Sequence, residues 1–442
     1  MSNEILDKIN VLIEEKRNIF VTGGAGTGKS YILNKLREKY KDKLHITSTT
    51  GISAINVNGQ TIHSWAGIGI GNKPVEETIR KIKSNGPLYR KFILCDMLAI
   101  DEISMLDNKT LDYISDVLKG VRCINKPFGY IQVLFFGDFF QLPPVRSNVE
   151  SKNFCFNSKT WKELDLVPII LNETKRQSDE KLISVLNNIR LGKSTNTKLF
   201  YEREVSSVDA VPSDILRIFG TNSNADFYNL KCFSQIKTQK FVYEAKDELY
   251  CYDSEDKSNI GIEIYKNPSF SDKAIPFYDL NLYKQFNENC KAPFKLELKQ
   301  GCRVMLLHNI NVEKGLANGT CGTVIDLNED YIKVKFDNEI VEVIEPVDFE
   351  YKKDGDKKIK RTQYPLRLAY GITIHKSQGM TFDKLVVDFS KIFDYGQAYV
   401  ALSRTRTLNG LYIYNFDPRK IIASDEVVEF YKELAKVNQE IL

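Results

Sequence analysis

Gly23-Gly24-Ala25-Gly26-Thr27-Gly28-Lys29-Ser30 is the stretch that decides the fold. It follows a short apolar run, Asn18-Ile19-Phe20-Val21, that reads as a buried strand. It opens the segment from Lys29 to Tyr40, where Ile32, Leu33 and Leu36 recur at helical spacing. Strand, glycine loop and helix in that order mark a phosphate loop. Glycines let backbone N–H groups turn inward around phosphate oxygens, and the helix N-terminus adds partial positive charge. Gly24, Ala25, Gly26, Thr27 and Gly28 form the cradle, Lys29 reaches the β- and γ-phosphates, and Ser30 offers a hydroxyl to Mg²⁺. The competing reading is a plain glycine turn before a helix.

The 442 residues suffice for two to four domains. Lys and Arg number 62 against 58 Asp and Glu, a net charge of +4 that is compatible with a nucleic-acid partner but does not demand one. No apolar run approaches the roughly 20 residues of a membrane helix, and the first ten residues carry Glu4 and Asp7 and lack a signal-peptide core. Eight cysteines without a C-x-x-C pair, and four histidines, argue against a zinc site and for a reducing compartment. The expected location is the cytoplasm at a bacterial nucleoid, or the nucleus or mitochondrion of a eukaryote.

Downstream of the loop, Leu44–Thr47 reads as the next strand, followed by Ser48-Thr49-Thr50-Gly51-Ile52-Ser53-Ala54 and by Gly59 to Trp65. Small hydroxyl residues at the end of a parallel strand stand where open α/β sheets bind ligands. Thr50, His63 and Ser64 suit contacts with a single nucleic-acid strand; for His63 and Trp65 core packing is an equal alternative. Residues 66–91 read as a small excursion whose basic residues either contact DNA or form a solvated face. Met97 to Glu102 is a buried strand ending in two carboxylates, an unfavourable arrangement without a cation. Asp101 is placed to hold Mg²⁺, and Glu102 to orient and deprotonate an attacking water. Ile131–Phe136 is a further strand, and Gln141, stiffened by Pro143 and Pro144, is placed at its end to sense a γ-phosphate.

Three segments carry a resemblance: Gly23–Ser30 with Ser48–Trp65, then Ile100-Asp101-Glu102-Ile103-Ser104-Met105-Leu106, and then Asp116 to Val145. The third contains Asn125-Lys126-Pro127-Phe128-Gly129-Tyr130-Ile131-Gln132 and Gly137-Asp138-Phe139-Phe140-Gln141-Leu142-Pro143-Pro144, and is the most discriminating. On these strings the chain resembles the Pif (petite integration frequency) family of superfamily 1 DNA helicases, relatives of the RecD-like enzymes. The resemblance implies an α/β fold of two RecA-like phosphate-loop motor domains with a small β-barrel inserted in the second. The expected boundaries are 1–172 for the first motor, 173–298 with 363–442 for the second, and 299–362 for the insertion.

The resemblance makes Arg176, in Lys175-Arg176-Gln177, a finger that reaches the γ-phosphate, although an Arg opening a helix is by itself more often a surface residue. Arg404, in the Gln397–Arg406 segment, is the second finger; its five donors suit the charge on a γ-phosphoryl transition state. In Gly371-Ile372-Thr373-Ile374-His375-Lys376-Ser377-Gln378-Gly379 the resemblance implies that Thr373, His375, Lys376 and Ser377 touch the strand and that Gln378 and Gly379 approach the nucleotide. Alternating runs at Arg303–Leu307, Cys321–Asp326, Tyr331–Phe336 and Ile340–Ile344, separated by Gly and Asn turns, carry the small-barrel pattern. The resemblance makes it a Src-homology-type barrel over the strand; a stabilising insertion is the alternative. No role is assigned to residues 235–298. The family's adenine-reading Gln has no counterpart in residues 1–20.

The expected activity is ATP- and Mg²⁺-dependent 5′-to-3′ travel on single-stranded DNA with unwinding of forked duplex, and action on G-quadruplexes or RNA–DNA hybrids. The expected state is a monomer, with assembly on DNA left open. An RNA-directed helicase and an ATP-switched single-strand clamp are the competing readings.

Overall fold

Ile19–Gly23 (β1), Leu44–Ser48 (β2), Gln60–Thr61 (β3), Met97–Asp101 (β4), Gln132–Gly137 (β5) and Val167–Leu171 (β6) form one parallel sheet in the order β3-β2-β4-β5-β1-β6. β1, β4 and β5 are buried along their whole length, which is why they read as unbroken apolar runs rather than as alternating ones. Parallel pairing sets the carboxyl ends of β1, β4 and β5 side by side, and these ends carry the phosphate loop, the acid pair and Asp138. The computed structural model describes residues 3–50, 53–54, 57, 59–69, 71, 73–144, 153–177, 179–252, 259–264, 283, 286–287, 290–311, 314–316, 318–353 and 357–441. Gly51, Ile52 and Val145 of the quoted motifs, and parts of 235–298, lie outside them.

The excursion after β3 is a pair of helices, Val75–Ser84 and Gly86–Leu94. Gly86-Pro87 does not end a helix but starts the second one, since proline lacks only an N–H that a first turn leaves unpaired. The pair lies on the Asn108–Arg122 helix. Gly120 makes that approach possible, because a Cβ there would come within 2.2 Å of the Ile79 side chain. Thr78 and Tyr113 share a hydroxyl hydrogen bond of 2.6 Å, and Arg122 donates to the carbonyls of Phe92, Ile93 and Cys95.

The chain divides into two compact units. The first holds residues 1–211, 217–221 and 373–442, and the second residues 212–216 and 222–372. Leu216–Phe219, Leu385–Asp388 and Leu411–Tyr414 are neighbouring strands of a further sheet. The C-terminal helix, Asp425–Ile441, closes on the β1–β5 side of the first sheet, where Val427, Phe430 and Tyr431 join Phe20, Phe139, Phe156 and Trp161 in one aromatic core.

In the second unit the strands expected from alternation form within a residue or two of their expected bounds: Arg303–Leu306, Cys321–Leu327, Ile332–Phe336 and Val341–Ile344. A fifth, Leu366–Leu368, pairs with Arg303–Leu306, although its segment was expected to belong to the motor. The sheet is irregular between Val324 and Asp326, but its outer strands carry no ladder to each other among the described residues, so the expected closed barrel is replaced by an open five-stranded sheet. Barrel closure requires matched tilt and stagger around the whole ring, which a local pattern does not encode. Part of 235–298 also finds its place, since Lys240–Glu244 pairs with Lys295–Lys299 and Lys246–Tyr252 pairs with Lys357–Gln363.

That last ladder sets Asp247 opposite Arg361, both buried. The guanidinium grips the carboxylate with two bonds of 2.8 and 2.7 Å and donates to Ala292 O and Asn287 Oδ1, while the Tyr283 hydroxyl donates to the same carboxylate at 2.7 Å. Removing one partner strands a buried charge. Asp247→Ala is therefore expected to cost the second unit about 3–5 kcal/mol, read as faster hydrogen exchange along the 246–252/357–363 ladder, with the 303–336 strands changed less.

Candidate functional site

The phosphate loop turns at Gly26, whose φ of +78° lies in the left-handed region. A Cβ there would also stand 2.4 Å from Arg176 Cβ. Arg176 is thus packed directly on the loop. Its neighbours lock it there: the Lys175 N–H donates to Gly26 O at 2.7 Å and Thr174 Oγ1 to Ala25 O at 3.4 Å. Gln177 reaches the other way, donating to Ser403 O at 2.9 Å and Thr405 O at 3.1 Å, the two residues that bracket Arg404. The two arginines expected as fingers are brought to the same site by this one short segment.

Lys29 donates to Gly23 O at 2.6 Å and Gly24 O at 3.0 Å, folding its ammonium back on the loop. Burial lowers its pKa, opposed by the charges of Asp138, Glu102 and Asp101. Asp101 and Glu102 end β4 as expected, and Glu102 takes a left-handed φ of 52°, a strained setting for a non-glycine residue that is typical of functional sites. Burial and the neighbouring Glu102 push the Asp101 carboxyl up to about 7, and burial also raises Glu102. Glu102 Oε2 is enclosed and lacks a hydrogen-bond partner, as does Gln378 Nε2, although the Gln378 amide is close enough to stabilise the Glu102 carboxylate.

Arg404 is fully buried, and its donors go only to neutral oxygens: Val400 O at 2.8 Å, Ser403 Oγ at 2.9 Å, Met380 O at 3.4 Å and Ser377 O at 3.5 Å. Burial and the nearby Arg176 charge bring it down to about 9. Arg176 Nη1 is likewise enclosed without a partner. The cluster thus holds one guanidinium nitrogen, Arg176 Nη1, short of an acceptor and one carboxylate oxygen, Glu102 Oε2, short of a donor, beside an Arg404 that meets no carboxylate among the described residues. That donor set fits a triphosphate with a bound magnesium ion, which takes one or two carboxylates and leaves the rest of its shell to phosphate and water. Ser30, exposed at the start of the Lys29–Tyr40 helix, and Asp101 would hold the ion. Among the described residues no group of three or more His, Cys, Asp or Glu could form a separate metal site.

A cavity of about 340 Å³ opens beside the loop, lined by Gly24, Ala25, Thr27, Leu171, Asn172, Thr174, Gln177, Ile183, Leu186, Asn187, Arg190, Leu191, Tyr399 and Ser403. Of those not anticipated, Arg190 and Tyr399 make the most telling contacts. Arg190, at the end of the Glu180–Arg190 helix, grips Asp138 through bonds of 3.0 and 2.8 Å and lies over the rings of Phe140 and Tyr431. Burial alone would raise the Asp138 carboxyl; the Arg190 guanidinium more than offsets it and holds the group below its usual value. The Tyr399 hydroxyl accepts the Ala25 N–H at 2.7 Å, so this N–H of the expected phosphate cradle is paired within the protein. Only the arginine at the end of a helical run signalled the first pair, and no local pattern signalled the second.

Gln141 is buried, and its amide donates to Asp138 Oδ2 at 3.3 Å rather than standing free. Gly379 is exposed at a φ of +79°. Of the residues expected to touch a strand, His375 and Lys376 reach the surface in part, whereas Thr373 and Ser377 are buried; Thr373 Oγ1 accepts the Lys376 N–H and the Ser377 hydroxyl donates to Ile374 O at 2.7 Å. Thr50, His63 and Ser64 are half-buried; Thr50 Oγ1 shares a 2.5 Å bond with Ser53 Oγ, and burial lowers His63. Trp65 is fully buried, its indole N–H on His45 Nδ1 at 3.2 Å, which settles it as a core residue.

Comparison with known proteins agrees with this geometry. Residues 2–198 match the model of the PIF1-like helicase family and residues 281–327 that of the DNA helicase Pif1 2B domain. The ATP-dependent DNA helicase PIF1 of Xenopus laevis is 35% identical over 426 residues, 95% of this chain and 62% of the relative, so the chain spans about three-fifths of that relative's length. The crystal structure of the Pif1 helicase from Candida albicans superposes with a TM-score of 0.79 at 34% identity, covering 98% of this chain and 99% of that one. Pif1 from Bacteroides sp in complex with ADP-AlF4 gives 0.74 at 31%, covering 98% and 97%. The chain belongs to the PIF1-like helicase family.

Proposed function

We propose that this protein is a DNA helicase that couples ATP hydrolysis to 5′-to-3′ movement along single-stranded DNA and so unwinds forked duplex. The observation that carries the reading is the cluster of Lys29, Asp101, Glu102, Arg176 and Arg404, in which Arg176 Nη1 and Glu102 Oε2 are enclosed without partners and Lys29 and Arg404 bond only neutral oxygens, all of which a magnesium-bound triphosphate would engage. Lys29 leaves the Gly23 and Gly24 carbonyls for the β- and γ-phosphates. Glu102 accepts the proton of the attacking water, and its raised basicity in the buried site suits that task. Arg176 and Arg404 donate to the γ-phosphoryl oxygens as charge spreads over them. Magnesium, when bound between Ser30 and Asp101, supplies neutralisation of phosphate charge. Once phosphate departs, the arginines lose their acceptor, and the balance between closed and open arrangements shifts.

His375 and Lys376 stand at the surface of the same short segment whose Gln378 approaches Glu102, so strand contact and hydrolysis are separated by two residues. Each opened duplex step costs roughly 1.4 kcal/mol, so a motor that advances on a frayed pair and holds it needs no strong melting force. Forked DNA is the substrate this favours. G-quadruplexes and RNA–DNA hybrids extend the same reading, which the family resemblance motivates, and the open five-stranded sheet would serve as the strand-covering insertion.

A fluorescent partial duplex with either a 5′ or a 3′ single-stranded tail tests the proposal. Unwinding only from the 5′ tail, lost in Lys29→Ala, is expected. Hydrolysis stimulated by DNA with no strand separation from either tail would leave the protein a switched clamp. Arg404→Ala is expected to lower kcat for ATP by about 10³-fold while leaving ADP affinity unchanged, measured by steady-state hydrolysis and by ADP titration. An equal loss of ADP affinity would refute the finger role.

A further inference from the structure

Tyr399 lies on the Gln397–Leu402 helix, all of whose residues are buried, and that helix runs directly into Ser403 and Arg404. Its hydroxyl accepts the Ala25 N–H at 2.7 Å, and a Cβ on Gly24 would come within 2.9 Å of the same oxygen. The hydroxyl therefore occupies the crown of the phosphate loop at contact distance, where only glycine at position 24 leaves room.

The bonds of Arg404 fix its side chain to Val400, Ser403 and the 377–380 turn. None of them fixes the arginine to the phosphate loop. Two direct links do run from the loop toward it. One is the Thr174–Gln177 segment, which touches Ala25 and Gly26 and then bonds the Ser403 and Thr405 carbonyls. The other is Tyr399, on the same helical run as the arginine itself. An aromatic ring is a stiff spacer with two side-chain torsions, and a neutral hydroxyl meets a backbone N–H without cancelling the charge of Lys29 as a carboxylate would.

We propose that Tyr399 is a positioning residue for hydrolysis: its hydroxyl, seated on the Ala25 N–H, sets the distance between the phosphate loop and Arg404. The inference rests on the ATPase reading above and adds a residue to it. Arg404 acts on charge that develops at the γ-phosphoryl, so an error in its placement weakens transition-state binding and leaves ground-state binding alone.

Tyr399→Phe removes one oxygen and keeps the ring. Expected is a fall in kcat of about 10- to 100-fold, the scale of an ångström-sized misplacement, with KM for ATP and affinity for ADP within about twofold of the parent. Affinity for ADP with aluminium fluoride should fall by the same factor as kcat. The double variant Tyr399→Phe/Arg404→Ala should be no slower than Arg404→Ala alone, because the tyrosine acts through the arginine. Unchanged kcat, additive losses in the double variant, or an equal fall in ADP affinity would each overturn the proposal, the last by showing that the loop itself is damaged. If the parent protein shows no DNA-stimulated hydrolysis, it is the ATPase reading that fails, and the parent control alone reveals it.

Discussion

Positive charge buried without a carboxylate is the constraint on which the nucleotide site depends. A guanidinium enclosed like that of Arg404 costs several kcal/mol to desolvate, and its neutral oxygen partners return only part of it. Among the described residues neither Asp101 nor Glu102 forms an ion pair with the arginines, and burial raises both. Arg190 and Asp138, whose charges act on the same cluster, do the opposite and neutralise each other with a two-point grip. The difference sorts the charges. A pair that satisfies itself is scaffold, and the groups left wanting partners face the place where an anion and its cation belong.

The scaffold reaches that place through aromatic packing. Tyr431 of the terminal helix stacks on Phe140, and its hydroxyl meets Thr22 Oγ1 at 2.6 Å, the Phe139 N–H at 3.2 Å and Asp138 Oδ1 at 3.3 Å. Thr22 ends the run into the phosphate loop and Asp138 follows β5, so one buried hydroxyl fixes two neighbouring strand ends. Arg190 lies over the same two rings. A helix at the far end of the chain thereby sets the floor under the first motif in it.

What could be read from the sequence was local. The phosphate loop, the acid pair at the end of β4 and the strands of the 303–344 region each announce themselves within a dozen residues, by glycine spacing, an unbroken apolar run or strict alternation. The features that escaped are contacts between distant positions. Ala25 and Tyr399 are 374 residues apart, and Asp138 and Arg190 are 52 apart. Arg361 stands in a lysine-rich run, yet it is wholly buried with Asp247 opposite it in a ladder that no local pattern predicts. The fifth strand of the open sheet in the second unit was missed for the same reason: it comes from residues that read as a return to the motor. Hydroxyl residues were the least legible, since Thr373 and Ser377 serve the backbone of their own turn as readily as they would serve a phosphate.

That turn also links the nucleotide side of the cluster to the protein surface. Thr373 and Ser377 close it with their own side chains, and the Ile374 N–H anchors it to Phe219 O at 3.0 Å. A turn with its backbone groups so occupied is held at several points. Arg404 bonds the Ser377 and Met380 carbonyls, and Gln378 lies beside Glu102, so both touch the turn from the nucleotide side. His375 and Lys376 leave it toward the surface. Under the proposed mechanism, an arginine drawn toward a γ-phosphate would pull on this turn, and the residues on its outer side would follow. The hydroxyls spent on the backbone brace the segment through which that pull would act.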